Sequence, residues 1–219
     1  MGLYLIFIMK LIIYIFIISF SNAFAADFRV ENDRLIISGS LKIEEETTIE
    51  DFFNKNHNLK TIEFFNCMSG QAGATYHLAN LIADRKLNTL MNGQVHSGCA
   101  IAFLAGQIRV PVERFGTHVL GIHAPRSIDN RNVPQEYVNK MMSLVEVFTE
   151  GKISSEVKDL IKKSNTGLSG VFFVTRNFSI YSDHNTYYCN GSEDADLSKC
   201  RILKNSDPVA LGIFKEKKN

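Results

Sequence analysis

Ser97-Gly98-Cys99-Ala100-Ile101-Ala102-Phe103-Leu104-Ala105-Gly106 is the stretch that decides the fold. It carries no charge, and its residues are small or apolar on every side. A helix of that character packs closely against neighbours all round and belongs in a protein interior. Ser97 stands at its start, where the first backbone N–H groups have no partner within the helix.

Reading outward, residues 87–91 and 119–123 are short apolar runs on either side, both of strand character. Upstream, Lys60-Thr61-Ile62-Glu63-Phe64-Phe65 is β-rich and runs into a glycine-containing loop over 66–73. A helix follows that loop, with Tyr76, Leu78, Ala79, Leu81 and Ile82 near helical spacing. At the front, Phe28-Arg29-Val30 and Leu35-Ile36-Ile37 flank a turn at Glu31-Asn32-Asp33. Thr47 or Thr48 can cap a helix through Ile49, Phe52 and Phe53. Downstream, 134–149 and 155–163 read as helices. Strand and helix alternate, which predicts an α/β fold with a largely parallel sheet. Residues 178–214 read as short strands around a polar loop, a small appendage on the same domain.

The chain of 219 residues has 24 basic and 23 acidic side chains, for a net charge of +1. With no basic excess to neutralise phosphates, nucleic acid is not an expected partner. Trp is absent and Phe is abundant at 16, which predicts a Phe-rich core.

Residues 3–20 are almost wholly apolar apart from Lys10, and Ala23-Phe24-Ala25 supplies the small residues that a signal peptidase accepts. Residues 1–25 are therefore expected to be a signal peptide cleaved after Ala25, with translation starting at Met1 or at Met9. The rival reading is a retained anchor, since the stretch is about long enough to span a bilayer. Removal takes Lys10 and leaves a neutral domain over 26–219 without a membrane span. The expected location is periplasmic or secreted.

Four cysteines in an exported chain suggest disulfides. Cys189 and Cys200 flank good turn residues, Asn190 to Asp196, and are the expected pair. Cys67 and Cys99 are the candidate second pair. The cysteine spacing fits no zinc pattern, and no metal or cofactor is expected.

In α/β sheets, sites form where loops leave the carboxyl ends of strands. Three such places carry suitable groups: Ser69-Gly70, Ser97 and His123. Serine needs a base, and histidine has the right pKa range. Taken alone, a serine such as Ser97 is more often a helix cap, and a histidine such as His123 more often a surface or hydrogen-bonded residue; their combination with a glycine loop shifts the balance towards a site.

Three ordered segments add to this. Asn66-Cys67-Met68-Ser69-Gly70, Ser97-Gly98-Cys99 running to Leu104-Ala105-Gly106 and Arg109, and Gly121-Ile122-His123-Ala124-Pro125 resemble the Clp protease proteolytic subunit and crotonase-like superfamily. Its exported periplasmic protein-like relatives are the nearest match in pattern. The resemblance covers roughly residues 28–170 and implies a ββα-repeat core over 26–177, with 178–219 appended. It implies Ser97 as nucleophile, His123 as general base, and Gly98 with Ser69-Gly70 as oxyanion donors. Asn165, before Leu168-Ser169, falls where the family has an Asp. An amide there supplies no charge, and that exchange in a serine triad costs roughly 10⁴ in rate. Asp159 and Asp183 are weaker substitutes; Asp159 reads as a solvated helix charge.

The implied function is an exported serine peptidase-like hydrolase with a weakened triad, acting on a peptide or protein. The alternative is a non-catalytic relative that binds peptide or a protein partner in the same cleft. An acyl-CoA enzyme fits export poorly. His96 is a candidate second base, although neighbouring side chains usually point apart. His77 is expected on the helix after the glycine loop, and His57 and His118 at the surface. Met141, Met142 and Phe148 read as core or homo-oligomer contacts, and 215–218 as a solvated tail.

Overall fold

Apolar alternation at the front of the chain becomes a hairpin. β1 (Asp27–Glu31) pairs antiparallel with β2 (Arg34–Leu41), and Asn32 takes the positive φ of the tight turn. A computed structural model describes residues 25–112, 116–127, 133–165, 168–176, 184–193 and 196–216. The signal-peptide reading rests on residues 1–24 and Ala25, of which 1–24 lie outside the described residues, as does Asp183.

The centre of the molecule is parallel. β2, β3 (Thr61–Gly70), β4 (Asn88–His96) and β6 (Thr117–Ile122) lie side by side, and β5 (Arg109–Pro111) also pairs with β4. The far side is antiparallel, through β7 (Gly170–Arg176), β8 (His184–Cys189) and β9 (Arg201–Ile202). The sheet is therefore mixed, with nine strands among the described residues. β8 and β9 continue the main sheet, so the C-terminal segment shares its hydrogen bonding with the rest. Phe214 is fully buried and packs edge-on against Phe103, which meets Phe64 in the same way at 6.4 Å.

The helices are α1 (Glu46–Lys55), α2 (Ala72–Asp84), α3 (Gly98–Leu104), α4 (Gln135–Phe148) and α5 (Ser155–Lys163). Every residue of α3 is buried, as its composition predicts. Met141 and Met142 face the core.

Several details differ from the sequence reading. The loop expected over 66–73 is strand as far as Gly70. Asn66 takes a positive φ at a bulge, and the strand then resumes, with Cys67 opposite Val95 and Ser69 opposite Ser40. Cys-Met-Ser-Gly has little β-propensity, and the pairing on either side overrides it. β4 likewise runs on through Asn92-Gly93-Gln94 to His96. No threonine caps α1. A 3-10 turn (Ile43–Glu45) precedes it, and the Glu45 carboxylate accepts from the Lys42 and Ala26 amides at 2.6 and 2.8 Å. His118 is buried rather than superficial, and its Nδ1 accepts the Gly93 amide at 3.0 Å. Lys215 is tied down, since its backbone exchanges hydrogen bonds with Arg109 and its ammonium meets Glu150.

Both disulfides are present. Cys189–Cys200 has a Cα separation of 4.8 Å and Cys67–Cys99 one of 5.8 Å, each in the range a bridge requires. No helix among the described residues is long and apolar enough to cross a membrane.

Arg109 holds the C-terminal segment to the core. It is 3% exposed, and its guanidinium donates to the carbonyls of Gly106 at 2.8 Å, Gly212 at 2.7 Å and Ile213 at 3.2 Å. Burial pushes its pKa down to about 10, against the opposing pull of Glu150. Arg109→Met removes all three donors and leaves buried carbonyls unpaired, a loss of about 3 kcal/mol. Urea unfolding should show a lower midpoint with an unchanged slope. A loss under about 0.5 kcal/mol would mean the carbonyls find other partners.

Candidate functional site

β4 and β6 run parallel with His96 opposite Gly121, and each ends where the candidate chemistry begins. Ser97 follows β4 and is the N-cap of α3. His123 follows β6. The Ser97 amide donates to the Gly121 carbonyl at 2.9 Å, which pins the serine to the strand that delivers the histidine.

Ser97 has φ 57° and ψ −126°, a region a non-glycine residue rarely enters. Holding it there costs of order 1–3 kcal/mol. The cause is topological. β4 has to turn at once into a helix buried on every side, and one residue absorbs the whole change of direction. Such a strained strand-to-helix turn lifts a side chain off the end of a sheet. The Ser97 hydroxyl makes no cap bond to the helix, so it is not spent on capping.

The end of β3 lies against this turn. A methyl group built on Gly98 would come within 2.7 Å of the Gly70 Cα and carbonyl oxygen. The two backbones meet only because both residues lack a Cβ. Thr75, from the first turn of α2, fills the space beside both glycines. It is 2% exposed, and its Oγ1 has no hydrogen-bond partner among the described residues. Below this contact the Cys67–Cys99 bridge joins β3 to α3, and the Cys99 sulfur sits 3.0 Å from the Ser69 carbonyl oxygen. A disulfide sulfur has no proton, so this is a packing contact.

The His123 Nδ1 lies 2.7 Å from the carbonyl oxygen of Ala124. A carbonyl can only accept, so Nδ1 carries the proton and Nε2 is left with its lone pair. Burial pushes the ring pKa down to about 4. Arg126 and His96 lower it further, and the Ala124 bond works the other way. Burial also pushes His96 to about 4, where its ring packs edge-on against Phe172. Arg126 donates to the Ser169 carbonyl at 2.6 Å.

The structure thus gathers Ser97, Gly98, Ser69 and Gly70 around adjoining chain ends, with His123 on the neighbouring strand end. Asn165 lies just beyond α5 with its side chain exposed, and its amide donates to the Lys163 carbonyl at 3.0 Å. The atom found against His123 Nδ1 is the Ala124 oxygen. Asp159 is an exposed helix charge 3.9 Å from Lys162. Three groups found beside the candidate residues escaped the sequence reading. The Ala124 carbonyl is a backbone group with no residue signature. Thr75 looked like any threonine in a helix. Arg126 follows the Ile-His-Ala-Pro segment directly, and a basic residue there was a legible signal. Among the described residues no cluster of His, Cys, Asp and Glu could hold a metal ion.

No family model matches this chain, and no curated protein matches it. Among solved structures it is similar to two mutants of the 1510-N membrane-bound stomatin-specific protease. One, in complex with a substrate peptide, has a TM-score of 0.44 and 11% identity, covering 57% of this chain and 63% of that one. The other has a TM-score of 0.43 and 11% identity, covering 57% and 66%. This chain therefore spans less than two thirds of either protein's length.

Proposed function

We propose that this chain is an exported serine peptidase-like hydrolase of low intrinsic activity, built on a remodelled Clp protease and crotonase-like ββα core. The observation that carries the reading is Ser97. It is held in a strained conformation at a strand end, its hydroxyl is uncapped, and the glycine contact adjoins it. Strain of this kind persists only where surrounding structure enforces it. Ser97 is the nucleophile, and the bare Nε2 of His123 accepts its proton. The Gly98 N–H, with the main chain at Ser69-Gly70, stabilises the oxyanion. The Ala124 carbonyl orients the imidazole. Two disulfides suit an oxidising compartment, which favours a periplasmic or secreted protein.

A second reading is favoured by the charges around His123. Those that act on it are Arg126 and His96, and neither is acidic. A ring with a pKa near 4 is a poor base at neutral pH, and among the described residues no carboxylate acts on it. On this reading the cleft binds peptide without turning it over.

A fluorophosphonate probe on the mature domain separates the two. The hydrolase reading expects slow labelling that Ser97→Ala abolishes. Asn165→Asp should leave the rate within about twofold if the Ala124 carbonyl alone orients the ring, whereas a tenfold rise would give position 165 the third role. No labelling in either protein favours the binding reading.

The pH profile follows from the depressed histidine. The base-competent neutral form is lost only as pH falls through about 4. Labelling should rise through that value and stay flat across neutrality. An inflection near the free histidine value of roughly 6.5 would place the ring in water. Stability follows the same sign. It is full above roughly 6.5 and falls as pH drops toward 4, because the unfolded chain takes up protons first.

Ser97→Gly relieves the positive φ and removes the nucleophile. It should be more stable than Ser97→Ala by about 1 kcal/mol in urea unfolding. Equal stabilities would show that the turn is unstrained.

A further inference from the structure

We propose that the Cys67–Cys99 disulfide is a positioning device for the oxyanion site, holding the end of β3 against the start of α3. The inference rests on the hydrolase reading and adds the residues that set its geometry. Cys67 lies two residues before Ser69, and Cys99 two residues after Ser97. Both are fully buried, and the Cys99 sulfur lies 3.0 Å from the Ser69 carbonyl oxygen, so the bridge adjoins the residues that form the contact between Gly70 and Gly98.

The need for such a bridge is visible in the pairing. β3 follows β4 only as far as Cys67, opposite Val95. Beyond it, Ser69 and Gly70 pair with Ser40 and Leu41 of β2 on the other side. On the side facing Ser97, the end of β3 has lost its strand partner just where it must hold a fixed distance from Gly98. Two features fill that gap, the disulfide and the Thr75 side chain. Thr75 makes no hydrogen bond there that would hold the two backbones together. The covalent bridge is what resists separation. An oxyanion donor displaced by even a fraction of an ångström loses most of its value, because it acts only where charge develops.

Cys189–Cys200 provides an internal control. It joins the end of β8 to the start of β9, and β8 lies three strands along the sheet from β4, which Ser97 follows. Opening either bridge with a small dithiol is a balanced two-electron exchange. The sulfur–sulfur bond breaks, each cysteine sulfur takes a proton, and the dithiol closes to its own disulfide.

The test measures fluorophosphonate labelling per folded molecule at pH 7, well below the unfolding temperature. Cys189→Ala/Cys200→Ala should label at the wild-type rate. Cys67→Ala/Cys99→Ala should show a maximal labelling rate at least tenfold lower, with its half-saturating probe concentration and circular dichroism unchanged. Cys67→Val/Cys99→Ala, which keeps more of the buried volume, serves if the first variant fails to fold. Dithiothreitol should slow Cys189→Ala/Cys200→Ala by the same factor, and reoxidation should restore it. Equal rates with and without the Cys67–Cys99 bridge overturn the proposal. If the wild type does not label at all, the hydrolase reading fails, and amide hydrogen exchange decides the clamp separately. Exchange over 68–70 and 97–99 should then quicken at least tenfold on loss of the bridge, and unchanged exchange there overturns it.

Discussion

Helix α3 is enclosed on every side, and most of what is unusual near the site follows from enclosing it. A helix with no solvent face has room only for small or apolar side chains, and Gly98 to Leu104 supplies nothing else. Its ends must also be satisfied without water. At the C-terminal end the Phe103 carbonyl accepts from the Thr89 hydroxyl at 2.7 Å and from the Gly106 amide at 3.2 Å. At the N-terminal end no side chain caps the helix. Ser97 is instead bent into a disfavoured conformation, and its hydroxyl makes no cap bond. The protein thus finishes one end of the helix for stability and leaves the other open.

The buried charges make the same distinction. Glu63 is 3% exposed but meets Arg34 and Asn92, each at 2.6 Å. Arg109 is enclosed by three carbonyls. These groups are matched and structural. At the strand ends the described residues include two histidines held neutral by burial and a half-buried arginine, and none of them is a carboxylate acting on His123. That environment is poor at stabilising a developing imidazolium. On the proposed hydrolase reading, main-chain N–H donors meet the polarised acyl group.

Much of the architecture was legible because burial writes itself into composition. The small apolar run at 98–104 announced an enclosed helix, and α5 shows the amphipathic spacing that placed it at Ser155–Lys163. The turn residues between Cys189 and Cys200 announced a closed loop. What was not legible was set by partners distant in sequence. Residues 66–70 look like a loop because Asn, Ser and Gly favour turns, yet β2 and β4 capture them as strand. His118 looks like a surface residue until the Gly93 amide is found on its ring. Ser97 and His123 could be nominated from residue type and position. The carbonyl that orients His123 could not, because every residue carries one.

The Ala124 carbonyl sets how far the site can go. Like a carboxylate, it accepts the Nδ1 proton and fixes the tautomer that leaves Nε2 bare. Unlike a carboxylate, it brings no negative charge, so it orients the base without strengthening it. Orientation alone preserves the contribution of geometry, and the charge contribution is what is missing. A site assembled this way depends more heavily on where its donors stand than a fully charged triad does. On the proposed reading, its main-chain groups at Gly98 and Gly70 carry the electrostatic work that remains. Those groups lie on different elements, a strand end and a helix start, whose separation the sheet alone does not fix. The covalent link between Cys67 and Cys99 spans that joint, where small displacements would matter most.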